Sequence, residues 1–190
     1  MNLKSYLITD PKYYTSNSIE FANQLNKAFL NHKIDFACFR DKISTNKKQL
    51  AKIFIDICKQ NSIENFLINT DIELAIQLKA YGVHLNSKQF DKISLAKQNN
   101  LFTIISCHNE KEIEVAIKNN ADAITYSPIF TTPNKGEPKG VKKLLETVNR
   151  FDIPIFALGG IINKEQINKI EKTNCYGFSS IRYFISNNLV

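Results

Sequence analysis

No stretch of this 190-residue chain is apolar for long enough to cross a bilayer. Its opening, MNLKSYLITDPKYY, holds one short apolar run that Asp10 and Pro11 interrupt, too brief for the core of a signal peptide. A cytoplasmic location with no membrane partner is therefore expected. Cysteine is scarce as well: Cys38, Cys58, Cys107 and Cys175 stand far apart with no CxxC pair, so neither a zinc site nor a disulfide framework is signalled. Buried thiols are the expectation. Concentrated basic charge is also missing. The net charge is +7, but the lysines are dispersed and no helix carries a basic stripe interleaved with aromatics, which argues against a nucleic-acid partner. The excess positive charge could also attract a phosphorylated small molecule, but the abundance of Lys, Asn and Ile throughout is accounted for more simply by biased codon use in an AT-rich genome. Linkers and low-complexity tracts are lacking too, and a 43% hydrophobic composition can fill one core, so residues 1–190 read as a single domain.

What the chain does contain is alternation. Runs rich in β-branched and aromatic residues recur as SYLIT (5–9), DFACFR (35–40), NFLIN (65–69), GVHLN (82–86), LFTIISC (101–107), DAITYS (122–127), IPIFALG (153–159) and YGFSSI (176–181). Between them helical periodicity appears, as in Ile19, Ala22, Leu25, Ala28 and Phe29, then Leu50, Ile53, Phe54 and Ile57, then Ile113, Ala116 and Ile117. Capping residues mark helix starts at Ser44 or Thr45, at Thr70 or Asp71, at Asn109 with Glu112, and at Asn163 with Gln166. Nearly all-apolar strands alternating with helices belong in a parallel sheet covered on its outer side. The fold class is α/β, and eight such units close into a compact (β/α)₈ TIM barrel. An open doubly wound sheet is the alternative, at the cost of an uncovered hydrophobic edge. The chain ends at Val190, barely two turns after the last strand, so the barrel exterior is thinly covered there and a homo-oligomer is possible.

In a barrel, function gathers where the strands end. Gly159 and Gly160 close the seventh strand before a helix, where glycine lets backbone N–H groups approach an anion. With Arg182 after the eighth strand they form a candidate phosphate site; the plain alternative is a tight turn beside a solvated arginine. Arg40 and Lys42, two residues apart, share one side if the strand continues, and could hold a second anionic group or simply form a charged turn. His108 ends the fifth strand as a candidate proton shuttle or a structural cap. His84 receives no role, and His32 reads as a helix C-cap. After the sixth strand comes SPIFTTPNKGEPKG (127–140), too long for an ordinary turn in a compact domain and therefore a functional or disordered loop.

These segments, taken in order, resemble the thiamine phosphate synthase/TenI family over nearly the whole chain. FRDK (39–42) looks like its strand-two LREK; INTDIELAIQLKAYGVHL (68–85) like its IND…LA…GADGVHL block; ISCH (105–108) like its S-x-H; NADAITYSPIFTTPNKG (120–136) like its GADY…GPIFPTxTK; and IPIFALGGI (153–161) like its IPVVAIGGI. The resemblance implies phosphate binding by Gly159, Gly160, Ser180, Ile181 and Arg182. It implies substrate contacts from Arg40, Lys42, Asn69, Ser106, Thr132, Asn134 and Lys135, and an active-site lid in the long loop with Gly136 and Gly140 as hinges. It also implies a small-molecule phosphate ester as partner. The departures are equally specific. Family synthases hold Mg²⁺ with two aspartates, and here those positions are Thr70 and Gln89, with Asp71 and Asp91 displaced from them. Cys38 replaces a glutamine, NSKQ (86–89) replaces GQED, and bulky Tyr183 follows Arg182. The expectation is a metal-free and cofactor-free TenI-like tautomerase with His108 moving the proton. The alternatives are an Mg²⁺-dependent synthase and a non-catalytic phosphate-ester binder.

Overall fold

A computed structural model describes residues 3–185. Eight strands run Lys4–Ile8 (β1), Phe36–Phe39 (β2), Phe66–Asn69 (β3), Gly82–Leu85 (β4), Phe102–Cys107 (β5), Ala123–Tyr126 (β6), Ile155–Leu158 (β7) and Gly177–Ser180 (β8). All neighbours are parallel, and β8 pairs with β1, matching Lys4 with Gly177 and Leu7 with Ser180, so the sheet is a closed barrel. That pairing excludes the open sheet.

Helices Pro11–Tyr14 (α1), Ser18–Asn31 (α2), Lys47–Gln60 (α3), Ile72–Gln77 (α4), Ile93–Gln98 (α5), Glu110–Lys118 (α6), Gly140–Arg150 (α7) and Lys164–Glu171 (α8) cover the outside. Their apolar faces explain the covering: α3 buries Leu50, Ala51, Phe54, Ile55, Ile57 and Cys58, and a fully buried side chain of this size is stabilised by roughly 1.5–3 kcal/mol. All four cysteines are buried and unpaired. Asn109 accepts the Glu112 N–H at 2.9 Å while Glu112 reaches back to the His108 N–H at 2.6 Å. Asp71 caps α4 and Asn163 caps α8. His32 is the C-cap of α2, with its ring against Tyr183 and Phe184.

Several local expectations are corrected. Ile19 is 74% exposed because α2 turns Phe21, Leu25, Ala28 and Phe29 inward instead. Ile117 is likewise exposed on α6. Neither Ser44 nor Thr45 caps α3: the Asp41 carboxylate takes the Ile43 and Ser44 N–H groups in a local turn, delaying the helix until after Asn46. The short α1, capped by Asp10, was not foreseen. Residues 181–185 form turns, and the remainder of the expected final helix lies outside the described residues.

The strand registers order the barrel interior. Each inward residue sits one position up relative to its hydrogen-bonded neighbour on the next strand, the stagger that makes alternate strands share a layer. From the N-terminal end upward, the layers are Phe36, Gly82, Ala123 and Gly177; then Tyr6, Leu67, Ile104 and Phe156; then Cys38, His84, Thr125 and Ser179. Ile8, Asn69, Ser106 and Leu158 follow, and Arg40, Asn86, Ser127 and Ile181 extend the same alternation to the rim.

The base layer is apolar and needs its glycines. The Phe36 ring lies 5.2 Å from that of Phe156 and 6.0 Å from that of Tyr6, centroid to centroid. A Cβ at Gly177 would fall 2.7 Å from Phe156 ring carbons and 2.5 Å from the Lys4 carbonyl oxygen. The third layer is polar. His84 is buried, with Nδ1 2.9 Å from the Tyr6 hydroxyl and Nε2 3.1 Å from Ser106 Oγ. Burial, then the Arg40 charge, lowers its pKa from 6.5 to about 3.

Two outcomes follow from this interior. Gly177→Ala is expected to destabilise the protein by about 1–3 kcal/mol in urea unfolding, because the added methyl meets ring and backbone atoms at once. For His84, the unfolded chain takes up a proton near pH 6.5 and the folded chain only near 3. This contribution to stability is complete above pH 6.5 and falls as pH is lowered, by up to about 1.4 kcal/mol per pH unit. Unfolding free energies measured from about pH 7 to about pH 4 should decline more steeply for the wild type than for His84→Gln.

Candidate functional site

A cavity of about 730 Å³ opens at the C-terminal ends of the strands. One wall is built from the turns after β7 and β8. Gly159 and Gly160 have φ of 100° and 70°, and a Cβ on Gly160 would lie 2.6 Å from the Thr131 carbonyl oxygen, so only glycine fits. Gln166 holds the turn: its Nε2 donates to the Gly160 carbonyl at 2.9 Å and its Oε1 accepts the Ile162 N–H at 2.8 Å. Ser180 Oγ donates to the Ile161 carbonyl and accepts the Tyr183 N–H, tying the two turns together. With that hydroxyl engaged, an anion here would meet the backbone of Gly160, Ile181 and Arg182 and the Arg182 guanidinium.

The facing wall carries Lys12, Arg40, Lys42 and Lys88, and Lys135 reaches in from the loop above. Thr9 clamps the Arg40 backbone, accepting its N–H at 2.8 Å and donating to its carbonyl at 3.2 Å, while Asp10 pairs with its guanidinium. Arg40, then burial, then Lys135 hold the Lys42 amine below its ordinary range, and Asp10 offsets only part of this. Positive charge is therefore left uncompensated on this wall. Among the described residues no aspartate or glutamate lines the cavity.

His108 stands between the walls. Its Nδ1 is 3.2 Å from both the carbonyl oxygen and Oγ of Ser127. Glu112 fixes its main chain through the 2.6 Å bond to its N–H. With Nδ1–H donated to the carbonyl, Nε2 keeps its lone pair as the basic atom.

The loop between β6 and α7 is clasped at its base. Ile129 N–H bonds the Leu158 carbonyl and Phe130 N–H that of Gly159, while Lys139 and Gly140 N–H groups return to Pro128 and Ile129. Beyond this clasp, among the described residues, only local bonds hold the tip, from Thr132 Oγ1 to the Phe130 carbonyl and from Lys135 N–H to the Thr132 carbonyl. Thr132 and Lys135 line the cavity; Asn134 does not. Asn134 sits exposed at the turn with φ 60°, a conformation its short amide side chain tolerates. Gly140 is held by its bond to Ile129, so Gly136 alone of the two expected hinges lies in the free tip.

The remaining expected residues, Asn69, Ser106, Gly159, Gly160, Ser180, Ile181 and Arg182, converge on the cavity with Arg40, Lys42 and His108. The positions corresponding to metal-binding aspartates do not suit Mg²⁺. Gln89 Nε2 donates to the Thr70 carbonyl at 3.1 Å and its Oε1 accepts the Asn86 N–H at 3.1 Å, so the two neutral residues are bound to each other. Asp71 caps α4 and pairs with Lys47 at 3.2 Å; Asp91 stands exposed beside Lys92. Sequence reasoning missed Lys12 and Tyr13, which the unforeseen α1 brings to the rim, and also Lys88; Ser127 was expected only as the start of the long loop, and His84 was given no role. For His84 the period-two alternation of GVHLN carried the signal, since Gly82 and Asn86 share its side.

Known proteins resemble this chain in sequence and in fold. The sequence pattern of the TMP-TENI family, described as thiamine monophosphate synthase, matches residues 5–184. A putative thiamine-phosphate synthase 2 of Aquifex aeolicus (strain VF5) is 32% identical over 185 residues, spanning 95% of this chain and 96% of its own. A thiamine-phosphate synthase of Lactococcus lactis subsp. lactis (strain IL1403) is 28% identical over 192 residues, 95% of this chain and 88% of its own. The fold of a thiamine phosphate pyrophosphorylase from Pyrococcus furiosus superposes with a TM-score of 0.84 at 23% identity, over 98% of this chain and 90% of that one. Matched along almost its entire barrel by pattern, by sequence and by fold, the chain belongs to the TMP-TENI family.

Proposed function

We propose that this protein is a TenI-like thiazole tautomerase of thiamine biosynthesis, aromatising a thiazole carboxylate phosphate by moving a proton. The observation that carries the reading is the composition of the cavity: cations and a positioned imidazole line it, and among the described residues no carboxylate does. A departing pyrophosphate calls for a metal held by anionic ligands, and Thr70 and Gln89 supply none. An isomerisation calls for less. One proton leaves a carbon and one is returned at another, so a single group that accepts and then donates is enough. His108 Nε2 has that capacity once Nδ1–H is anchored on Ser127. Gly160, Ile181 and Arg182 hold the phosphate, Arg40 or Lys42 receives the carboxylate, and Lys135 and Thr132 cover the ligand from the loop. Closing the loop tip would exclude water from the reacting carbon.

The names of the relatives favour a second reading, a thiamine phosphate synthase that joins a pyrimidine pyrophosphate to a thiazole phosphate. Paired turnover assays separate the two. A tautomerase converts the thiazole carboxylate tautomer at the same rate with EDTA as with Mg²⁺, whereas a synthase releases pyrophosphate only with the metal. In the first case His108→Ala is expected to lower kcat by about 10² or more; an unchanged rate would remove His108 from the mechanism. Arg182→Ala should raise KM roughly tenfold with a smaller effect on kcat, the mark of a group that binds phosphate in ground and transition states alike.

A further inference from the structure

Beneath the charged rim, the cavity ends on an uncharged floor. Ile8, Asn69, Ser106 and Leu158 line its lower part, and His84 and Ser179 from the layer below also reach it. Ser179 is fully buried, and its Oγ has no hydrogen-bond partner among the described residues.

The bonds around His84 fix the direction of the neighbouring ones. Tyr6 is fully buried, and its single O–H proton has two acceptors nearby: His84 Nδ1 at 2.9 Å and the Cys38 thiol. An imidazole nitrogen is much the better acceptor, so Tyr6 donates to Nδ1. A neutral imidazole that accepts at Nδ1 carries its proton on Nε2, which donates to Ser106 Oγ at 3.1 Å. Thr125 Oγ1 donates to the same oxygen at 3.3 Å. Both lone pairs of Ser106 Oγ are then engaged, and its own proton is left for the cavity. The opposite tautomer would turn the Tyr6 proton from an imidazole nitrogen to the Cys38 thiol, a far weaker acceptor.

We propose that Tyr6 and His84 impose donor polarity on Ser106, making the barrel floor a subsite for an uncharged hydrogen-bond acceptor of the ligand, such as a ring nitrogen. Tyr6 and His84 are positioning residues; Ser106 makes the contact. The inference rests on the reading above for the identity of the ring, since a thiazole nitrogen is an acceptor without a proton. The chain Tyr6, His84, Ser106 also polarises each bond in turn, which strengthens the last donor.

Two measurements test it. In ¹⁵N spectra of histidine-labelled protein, His84 should show an unprotonated Nδ1 and a protonated Nε2, with Tyr6→Phe mixing the tautomers; a protonated Nδ1 in the wild type would overturn the proposal. Calorimetry with inorganic phosphate and with the unphosphorylated thiazole alcohol then separates rim from floor. Ser106→Ala should weaken the alcohol roughly tenfold and leave phosphate unchanged, and Ser106→Thr should restore the alcohol. Equal binding of the alcohol by wild type and Ser106→Ala overturns the floor subsite, whereas failure of the wild type to bind phosphate overturns the rim reading alone.

Discussion

The backbone hydrogen bonds between β1 and β8 close the cylinder, and everything functional depends on that closure. An open sheet would present its strand ends along a line. Joined into a ring, they bring the ends of β2, β5 and β8 to one mouth, so that Arg40, His108 and Arg182 share a cavity although they are remote in sequence. The closure also fixes the layers inside. Because the base is filled by Phe36 against Phe156, with glycines where the rings need room, the upper layers are free to carry polar atoms.

Charge is sorted by depth in this barrel. The rim concentrates lysine and arginine, where water and ligand can offset their mutual repulsion. The floor carries hydroxyls and one imidazole that burial keeps neutral. On the proposed function, the phosphate of the ligand would lie in the charged zone and its heteroaromatic ring in the neutral one. Such sorting orients a ligand before any chemistry begins.

Much of this was legible in the sequence. Apolar runs alternating with helical periods gave the strand order, because a parallel barrel buries both faces of its strands and leaves little room for other patterns. Strand ends are easy to place, which singled out Arg40, Lys42, His108, Gly159, Gly160 and Arg182; the family resemblance supplied the others, and all but Asn134 of those expected line the cavity. Asn134 stands outside that lining, exposed at a turn with φ 60°, a backbone feature that no motif spacing reveals. Ile19 failed because its helix starts with an exposed turn before its apolar face meets the barrel. His84 could not be assigned because its meaning lies in partners on β1, β5 and β6, brought together only by the stagger of the closed sheet.

The Gln89 to Thr70 bond has a consequence for how this cavity could change its chemistry. It laces the connection after β3 to the one after β4, doing with an amide what a shared cation does between two acids. Converting Gln89 alone to aspartate would remove the donor and unlace the loops, whereas the Thr70 acceptor is its main-chain carbonyl, which any side chain leaves in place; Asp71, engaged with α4 and Lys47, could not assist. Two facing carboxylates thus need both exchanges, and the order matters: the one at position 70 leaves the lacing intact, and the one at position 89 undoes it.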